Sequence, residues 1–496
     1  MALVEMRGIK KIYPDGVIAL RGVDFEVAEG EIHGLLGENG AGKTTLMRIL
    51  YGEIKQTEGE IFLQGRRINF RGPWDAMRNG INMVYQRFSL IPTLTVMENL
   101  HLASLAKGMS EKEVRKRAEN VMERLKLKIP LDEVVENLPV GVQQRVEIVK
   151  VLLFKPRLII LDEPTSVLTH LETRELFRML KELKEEGISI VFITHKLREA
   201  KEITDRVTVL RGGEKIGTFE TEKVREEDLA VMMVGRKFLP PLRKPSSPGK
   251  EVLRVEEIWV KDERGLHAVK GVSFEVYEGE IFGIAGVQGN GQRELAEALA
   301  GIREVERGRI MVEGRDFTNI PAEIRYREGI SYIPDSRAIG LVLDMNLIEN
   351  TPLTDLRRFL GALGRIIWPS AAERTREIVG RFGVITSSLR AQARYLSGGN
   401  QQRLLVGREM IKGPKLLVIC EPTQGLDVAA TEFIRTTLLK FRDEGKAIIL
   451  ISSDLDEIFE LSDRIAVMYE GRFMGIGRNE DFTVEKVGLM MGGVNV

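Results

Sequence analysis

The segment Ala2-Leu-Val-Glu-Met-Arg-Gly-Ile-Lys-Lys alternates apolar and charged side chains, which predicts a strand buried on one face. The runs 158–161, 190–193, 416–420 and 447–451 are instead continuously apolar and short, the pattern of strands covered on both sides. Between the runs lie charged stretches with helical spacing, among them 112–126, 173–184 and 375–382. Strand alternating with helix predicts an α/β architecture with a mainly parallel sheet. Two glycine-punctuated stretches, one near the start and one past the middle of the chain, alternate like hairpins and predict a flanking antiparallel β portion.

The pattern occurs twice. Ala19-Leu-Arg-Gly-Val-Asp-Phe-Glu-Val-Ala-Glu-Gly-Glu-Ile returns as Ala268-Val-Lys-Gly-Val-Ser-Phe-Glu-Val-Tyr-Glu-Gly-Glu-Ile. Leu161-Asp-Glu-Pro-Thr returns as Ile419-Cys-Glu-Pro-Thr, and Met232-Met-Val-Gly as Met490-Met-Gly-Gly, with a net insertion between Asp335 and Leu396. Two copies of this length are similar globular domains and not a stacked array. The predicted domains are 1–238 and 251–496, joined by a linker at 239–250 that is rich in Pro, Ser and Lys and lacks periodicity.

Composition narrows the function. The chain has 496 residues with 73 Lys+Arg against 73 Asp+Glu, which removes the large positive field of a protein held to nucleic acid by phosphate contacts. Its one cysteine, Cys420, excludes an intrachain disulfide or a multi-cysteine metal site and fits a reducing cytosol. The apolar runs fall far short of the roughly 20 residues of a bilayer span, and no apolar core of signal-peptide length follows the first charges. A protein that is neither exported nor membrane-spanning is expected.

Candidate chemistry begins at Gly37-Glu38-Asn39-Gly40-Ala41-Gly42-Lys43-Thr44-Thr45, between the strand pattern 32–36 and the helix pattern 46–50. That context is the one a phosphate-binding loop requires. Its glycines let backbone N–H groups face phosphates, the helix N-terminus adds partial positive charge, Lys43 reaches the terminal phosphates and Thr44 offers a hydroxyl to Mg²⁺. Further on, a buried strand ends in Asp162 and Glu163. Asp162 suits the Mg²⁺ shell and Glu163 the attacking water.

Leu396-Ser397-Gly398-Gly399-Asn400-Gln-Gln-Arg403 in the second copy resembles the signature sequence of the ATP-binding cassette ATPases, and the resemblance extends over nearly the whole chain. It implies two tandem P-loop domains, each with a helical subdomain bearing the signature. It also implies that Tyr13 stacks on adenine, that Gln86 links Mg²⁺ and water to a transport partner, and that His195 senses the γ-phosphate. In this family ATP lies between the phosphate loop of one cassette and the signature of the other. The first site would therefore join Gly37 to Thr45, Gln86, Asp162, Glu163 and His195 with Ser397, Gly398, Gly399 and Asn400. The second would be degenerate, because Gln292 replaces Lys43, Arg293 replaces Thr44, Asp335 replaces Gln86, Cys420 replaces Asp162 and Ser453 replaces His195. Glu421 survives there. Asp262 stands for Tyr13, with Trp259 nearby, and the facing signature carries Pro139 in place of serine. Arg293 cannot ligate a metal but could pair with a phosphate oxygen.

Tandem cassettes with a degenerate second half resemble the ATPase subunits of bacterial importers for simple sugars and nucleosides. The details around Gln86, the first signature and Gly286-Val-Gln-Gly-Asn-Gly favour the nucleoside group, while Arg87 and Arg293 depart from it. The resemblance implies membrane permease subunits, an extracytoplasmic solute-binding protein, a peripheral place on the cytoplasmic face of the membrane, and no nucleic acid partner. Docking is expected at 87–99 and 336–350, each closing on Glu-Asn. The alternative is a soluble tandem cassette acting on ribosomes or nucleic-acid complexes.

Overall fold

The alternating start of the chain forms strand β1 (Ala2–Ile12), whose inward positions Val4, Met6 and Ile9 are buried. The step from Met6 to Ile9 breaks strict alternation because a bulge at Arg7 and Gly8 interrupts pairing with the next strand. In this computed structural model the described residues are 2–14, 16–86, 88–166, 168, 170–235, 243–244, 248–361 and 364–494. The chain divides into two units, Met1–Leu239 and Pro240–Val496.

In the first unit β1 and β2 (Ile18–Ala28) precede β3 (Ile32–Leu36), α1 (Lys43–Leu50), β4 (Glu58–Leu63), β5 (Arg66–Ile68), α2 (Pro73–Arg78) and β6 (Ile81–Val84). Helices α3 (Val96–Ser104), α4 (Glu111–Arg124) and α5 (Val140–Leu152) follow. The unit ends with β7 (Leu158–Asp162), α6 (His170–Glu185), β8 (Ser189–Thr194), α7 (Leu197–Ile203), β9 (Arg206–Arg211), β10 (Glu214–Glu220) and α8 (Glu226–Val234). Among the described residues, β2-β1-β4-β5 form an antiparallel sheet. The second sheet, β10-β9-β3-β8-β7-β6, is parallel except for β10.

Every residue of β3 and β7 is buried, as expected of strands covered on both faces. One core, including Val4, Leu46 and Ile160, packs α1 and the antiparallel strands on one side of the parallel sheet. Another, including Ile148, Leu180 and Phe192, packs α5 and α6 on the other. Helices α3 to α5 share a separate core through Leu100, Val114 and Val149. Capping boxes, Thr95 with Glu98 and Ser110 with Glu113, start α3 and α4.

The second unit repeats the plan: β11 (Glu251–Lys261), β12 (His267–Tyr277), β13 (Ile281–Ala285), α9 (Gln292–Ala300), β14 (Val305–Val312), β15 (Arg315–Asp316), α10 (Ala322–Arg327) and β16 (Ile330–Ile333). The helical part is α11 (Arg337–Gly340), α12 (Leu347–Asn350), α13 (Trp368–Arg381) and α14 (Gly398–Met410). Then come β17 (Leu416–Cys420), α15 (Val428–Asp443), β18 (Ala447–Ser452), α16 (Leu455–Leu461), β19 (Arg464–Tyr469), β20 (Arg472–Arg478) and α17 (Val484–Met491). The sheet orders, β12-β11-β14-β15 and β16-β17-β18-β13-β19-β20, match the first unit. The inserted residues fall in the helical part, where four-residue α12 stands in place of nine-residue α3.

Most of the expected linker, 239–250, lies outside the described residues. Arg243 and Lys244 within it are held by the second unit: Arg243 donates to the Ser462 carbonyl at 2.8 Å, and the Lys244 carbonyl accepts from Arg442 at 3.1 Å. Among the described residues no helix is long and apolar enough to cross a membrane.

Candidate functional site

The phosphate loop of the first unit leaves the buried end of β3 and turns into α1 at Gly42, whose φ is 99°. A Cβ on Gly42 would sit 2.7 Å from the Ala19 carbonyl oxygen, so glycine is required by both conformation and space. Lys43 is buried, and its ammonium donates to the carbonyls of Gly37 at 2.6 Å and Glu38 at 3.0 Å. The cation is thus held inside the loop by the backbone that would wrap a phosphate. Tyr13, just past β1, places its hydroxyl 3.4 Å from Thr45 Oγ1.

Thr44 donates to Asp162 Oδ1 at 3.2 Å. Burial pushes the Asp162 carboxyl up to about 6, against the Thr44 hydrogen bond, and neighbouring Glu163 adds to the rise. A buried carboxylate short of positive charge, beside a hydroxyl, is a hard oxygen donor set that fits Mg²⁺ completed by phosphate oxygens.

Glu163 is the centre of the polar cluster. Gln86 Nε2 donates to its Oε2 at 2.9 Å, and His195 Nδ1 lies 3.0 Å from its Oε1. Burial works to raise its pKa, but the His195 hydrogen bond and the charges of His195, Lys43 and Lys196 outweigh this and hold it below the usual value. Its backbone is left-handed at φ 47°, pinned by its N–H to the Ile193 carbonyl at 3.0 Å. A non-glycine residue there costs about 1–3 kcal/mol, and the pinning turns the carboxylate off the strand end toward Gln86 and His195.

In the second unit the equivalent loop keeps its shape, with Gly291 at φ 99° before α9. Gln292 fills the place of the lysine: its Nε2 donates to the Val287 carbonyl at 2.9 Å, and its Oε1 accepts from the Asn290 N–H at 3.1 Å. Arg293 is turned onto Glu297 at 2.8 Å, and Glu297 also binds Arg303, so the guanidinium that could pair with a phosphate oxygen is here paired along its own helix. Cys420 is buried, and burial raises its thiol far above the usual value, with Asp335 and Glu421 adding to the rise. Glu421 keeps the left-handed backbone at φ 45°. Its Oε1 accepts the Ser453 N–H at 2.9 Å, and burial followed by the charge of Glu457 pushes it up to about 7. Asp262 closes a turn by accepting from the N–H groups of Arg264 and Leu266, and Trp259 packs edge-on against His267.

The signature helix α14 is capped by Ser397, whose Oγ accepts from the Asn400 N–H at 3.4 Å and from Asn400 Nδ2 at 2.9 Å. Asn400 Oδ1 in turn accepts from the Ile385 N–H at 2.8 Å. Gly398 and Gly399 form the first turn of α14. In the first unit Pro139 occupies the cap position of α5 and supplies no side-chain hydrogen bond.

Position 87, the first of the expected docking residues, lies outside the described residues. The Glu-Asn closes of the two segments expected to dock are used internally. Buried Asn99 accepts from the Ile91 N–H at 2.7 Å and donates to the Ile91 carbonyl at 3.1 Å. Asn350 binds Val342 in the same way, at 2.9 and 3.0 Å. Among the described residues, the large hydrophobic side chains exposed here are Ile91 in the first unit and Ile339, Val342 and Met345 in the second.

A family model described as ABC transporter matches residues 20–166 and 269–424. The chain is 43% identical to the glucose import ATP-binding protein TsgD13 of Haloferax volcanii, over 99% of this chain and 96% of that protein. It is 42% identical to the guanosine import ATP-binding protein NupO of Bacillus subtilis, over 99% and 97% respectively. It is 40% identical to the nucleoside import ATP-binding protein NupA of Lactococcus lactis, over 100% and 99%.

Proposed function

The chain belongs to the ABC transporter family, and from that premise we propose that it is the ATPase subunit energising import of a nucleoside or simple sugar, with one hydrolytic site. The observation that carries this reading is the Glu163 carboxylate held at once by Gln86 and His195, beside the Thr44–Asp162 pair.

The residues act as follows. Lys43 and the loop N–H groups bind the phosphates of ATP. Thr44, Asp162 and Gln86 would hold Mg²⁺, which would supply neutralisation of the negative charge on the phosphates. Glu163, kept ionised by His195 and Lys43, accepts a hydrogen bond from the attacking water and aligns it with the γ-phosphate. Ser397, Gly398, Gly399 and Asn400, as the family pattern implies, complete this site from the second domain. The loop at Gln292 and Arg293 does not hydrolyse, because cation, metal ligand and γ-phosphate sensor are all replaced.

The partners are membrane permease subunits that dock near 88–99 and 336–350 and an extracytoplasmic solute-binding protein, so the chain works at the cytoplasmic face of the membrane. Exposed Ile91, Ile339, Val342 and Met345 support docking there. The three relatives are import proteins, and the ribosome-acting alternative finds no support in them.

Trapping nucleotide during turnover tests the reading. One equivalent of ADP per chain is expected, released by adding the permeases and loaded binding protein. Two equivalents would overturn the one-site assignment.

A further inference from the structure

Each signature-bearing helix carries a buried glutamate with a lysine three residues on, inside α5 in the first unit and just past the end of α14 in the second, and each pair grips a hydroxyl in the stretch that follows Gln86 or its counterpart Asp335. In the first unit the Glu147 side chain is 1% exposed and accepts from the Ser89 N–H at 2.6 Å and the Ser89 hydroxyl at 3.1 Å. Lys150 closes the triangle, 2.7 Å from Glu147 and 2.6 Å from Ser89 Oγ. In the second unit Glu409, fully buried, accepts from Thr354 Oγ1 at 2.9 Å, and Lys412 donates to both at 2.5 and 2.6 Å. Arg408 adds donations to the carbonyls of Gly340 at 2.8 Å and Asn350 at 3.3 Å.

The two triangles do not occupy matching positions. Aligned on Leu138 and Leu396, Glu147 falls at Leu405 and Glu409 at Val151. Each half therefore builds the same joint on a different turn of the helix, with different residues. Burying a carboxylate beside an ammonium brings little net stability, but removing either partner leaves the other buried and unpaired, so the pair fixes the arrangement it is built into. What is fixed here is the seat of a segment on the signature helix.

We infer that Glu147 and Lys150 are positioning residues that set Gln86 against Glu163 by anchoring Ser89. The inference rests on the ATPase reading above and adds two positioning residues to it. Ser89 is only three residues from Gln86, whose amide is already hydrogen-bonded to the Glu163 carboxylate. Without the anchor, the three-residue tether no longer fixes where the Gln86 amide stands against the carboxylate. In the second unit the equivalent joint ties 340–354 to the helix that begins at Ser397.

The test uses the full chain with Mg²⁺ and ATP, reading steady-state hydrolysis together with hydrogen–deuterium exchange. Ser89 stands at the surface, so Ser89→Ala is a mild change, and Glu147→Gln keeps the shape of the buried side chain. For both, kcat is expected to fall about tenfold with KM for ATP within about twofold, because the phosphate loop is untouched. Amides 88–91 should exchange at least about tenfold faster while α5 keeps its protection. Ser89→Thr restores the hydroxyl and should restore kcat. Glu409→Gln should speed exchange at 340–354 and leave 88–91 as in the wild type. Faster exchange with unchanged kcat overturns the inference, as does a joint loss of kcat, KM and thermal stability. If the wild-type chain hydrolyses no ATP, the ATPase reading fails, and unchanged exchange in Ser89→Ala and Glu147→Gln would sink the anchor independently.

Discussion

The loops after β3 and β13 have one backbone and two chemistries. Gly42 and Gly291 share φ 99° and ψ 1°, and the glutamates after β7 and β17 share left-handed backbones at 47° and 45°. Yet lysine has become glutamine, the threonine after it arginine, the aspartate cysteine and the histidine serine. The shape persists because its determinants lie elsewhere: in four fully buried strands, in glycines hemmed by neighbouring carbonyls, and in the N–H of each glutamate tied to the adjacent strand at 3.0 and 2.8 Å. Apolar layers hold the fold, each buried Leu or Ile contributing about 1.5–3 kcal/mol, while catalysis rests on a few polar groups whose loss the fold does not register.

The sharpest way to break that comparison is to neutralise both glutamates. Glu163→Gln is expected to lower turnover by about 10³-fold, within the range for a positioned acid–base group, while ATP binding survives. Glu421→Gln should change turnover by less than about twofold. Single-turnover kinetics with a nucleotide-binding assay reads both. Equal losses in the two variants would mean that the second site also hydrolyses.

Much of this is legible in the amino-acid sequence. The doubled α/β plan, the loop at Lys43 and the carboxylates at Asp162 and Glu163 follow from spacing and period, because glycine turns and buried strands are local properties of sequence. What is not legible depends on distant residues meeting. The Glu147–Lys150–Ser89 triangle looks like ordinary helical charge until the fold brings Ser89 to it; the available signal is two charges inside the apolar run Val146-Glu-Ile-Val-Lys-Val-Leu. Lys196, which helps keep Glu163 ionised, carries no motif. Asn99 and Asn350 close the segments expected to dock, but their amides clamp their own loops, a local bond that polar character alone does not distinguish from a partner contact. The guanidinium of Arg293 has a carboxylate one helical turn away, at Glu297, and takes it.

Exchanging the two signature caps probes the comparison at the signature helices. Ser397→Pro removes both the cap on α14 and a hydroxyl proposed to meet the γ-phosphate, and a loss of about 10²-fold in kcat is expected, the usual size for one transition-state donor. Pro139→Ser installs a cap on α5 but belongs, in the proposed pairing, with the loop that lacks lysine and threonine, so kcat should stay within about twofold. If Pro139→Ser raised turnover substantially, the second site would be limited by its signature and not by Gln292 and Arg293.

The smallest effect separates the two glutamates by pH. Glu163 titrates below its ordinary value, so it contributes stability above the unfolded pKa and loses it as pH falls through the folded one. Glu421 does the reverse. With a folded pKa of about 7, above the roughly 4.3 of an unfolded glutamate, the folded state binds the extra proton, and its contribution is fully present below about pH 4 and lost as pH rises to 7. The shift corresponds to about 4 kcal/mol. Glu421→Gln keeps an oxygen to accept the Ser453 N–H and cannot ionise, so it should stabilise the second unit at pH 8 and leave it unchanged near pH 4.5. Ser453→His offers Glu421 the partner that Glu163 has, and should draw its pKa down and flatten the same dependence. Thermal unfolding across pH 4.5–8 measures each variant. Parallel pH profiles for the wild type and Glu421→Gln would mean that the Glu421 carboxylate is already compensated, and that replacing His195 by serine is not what sets the two sites apart.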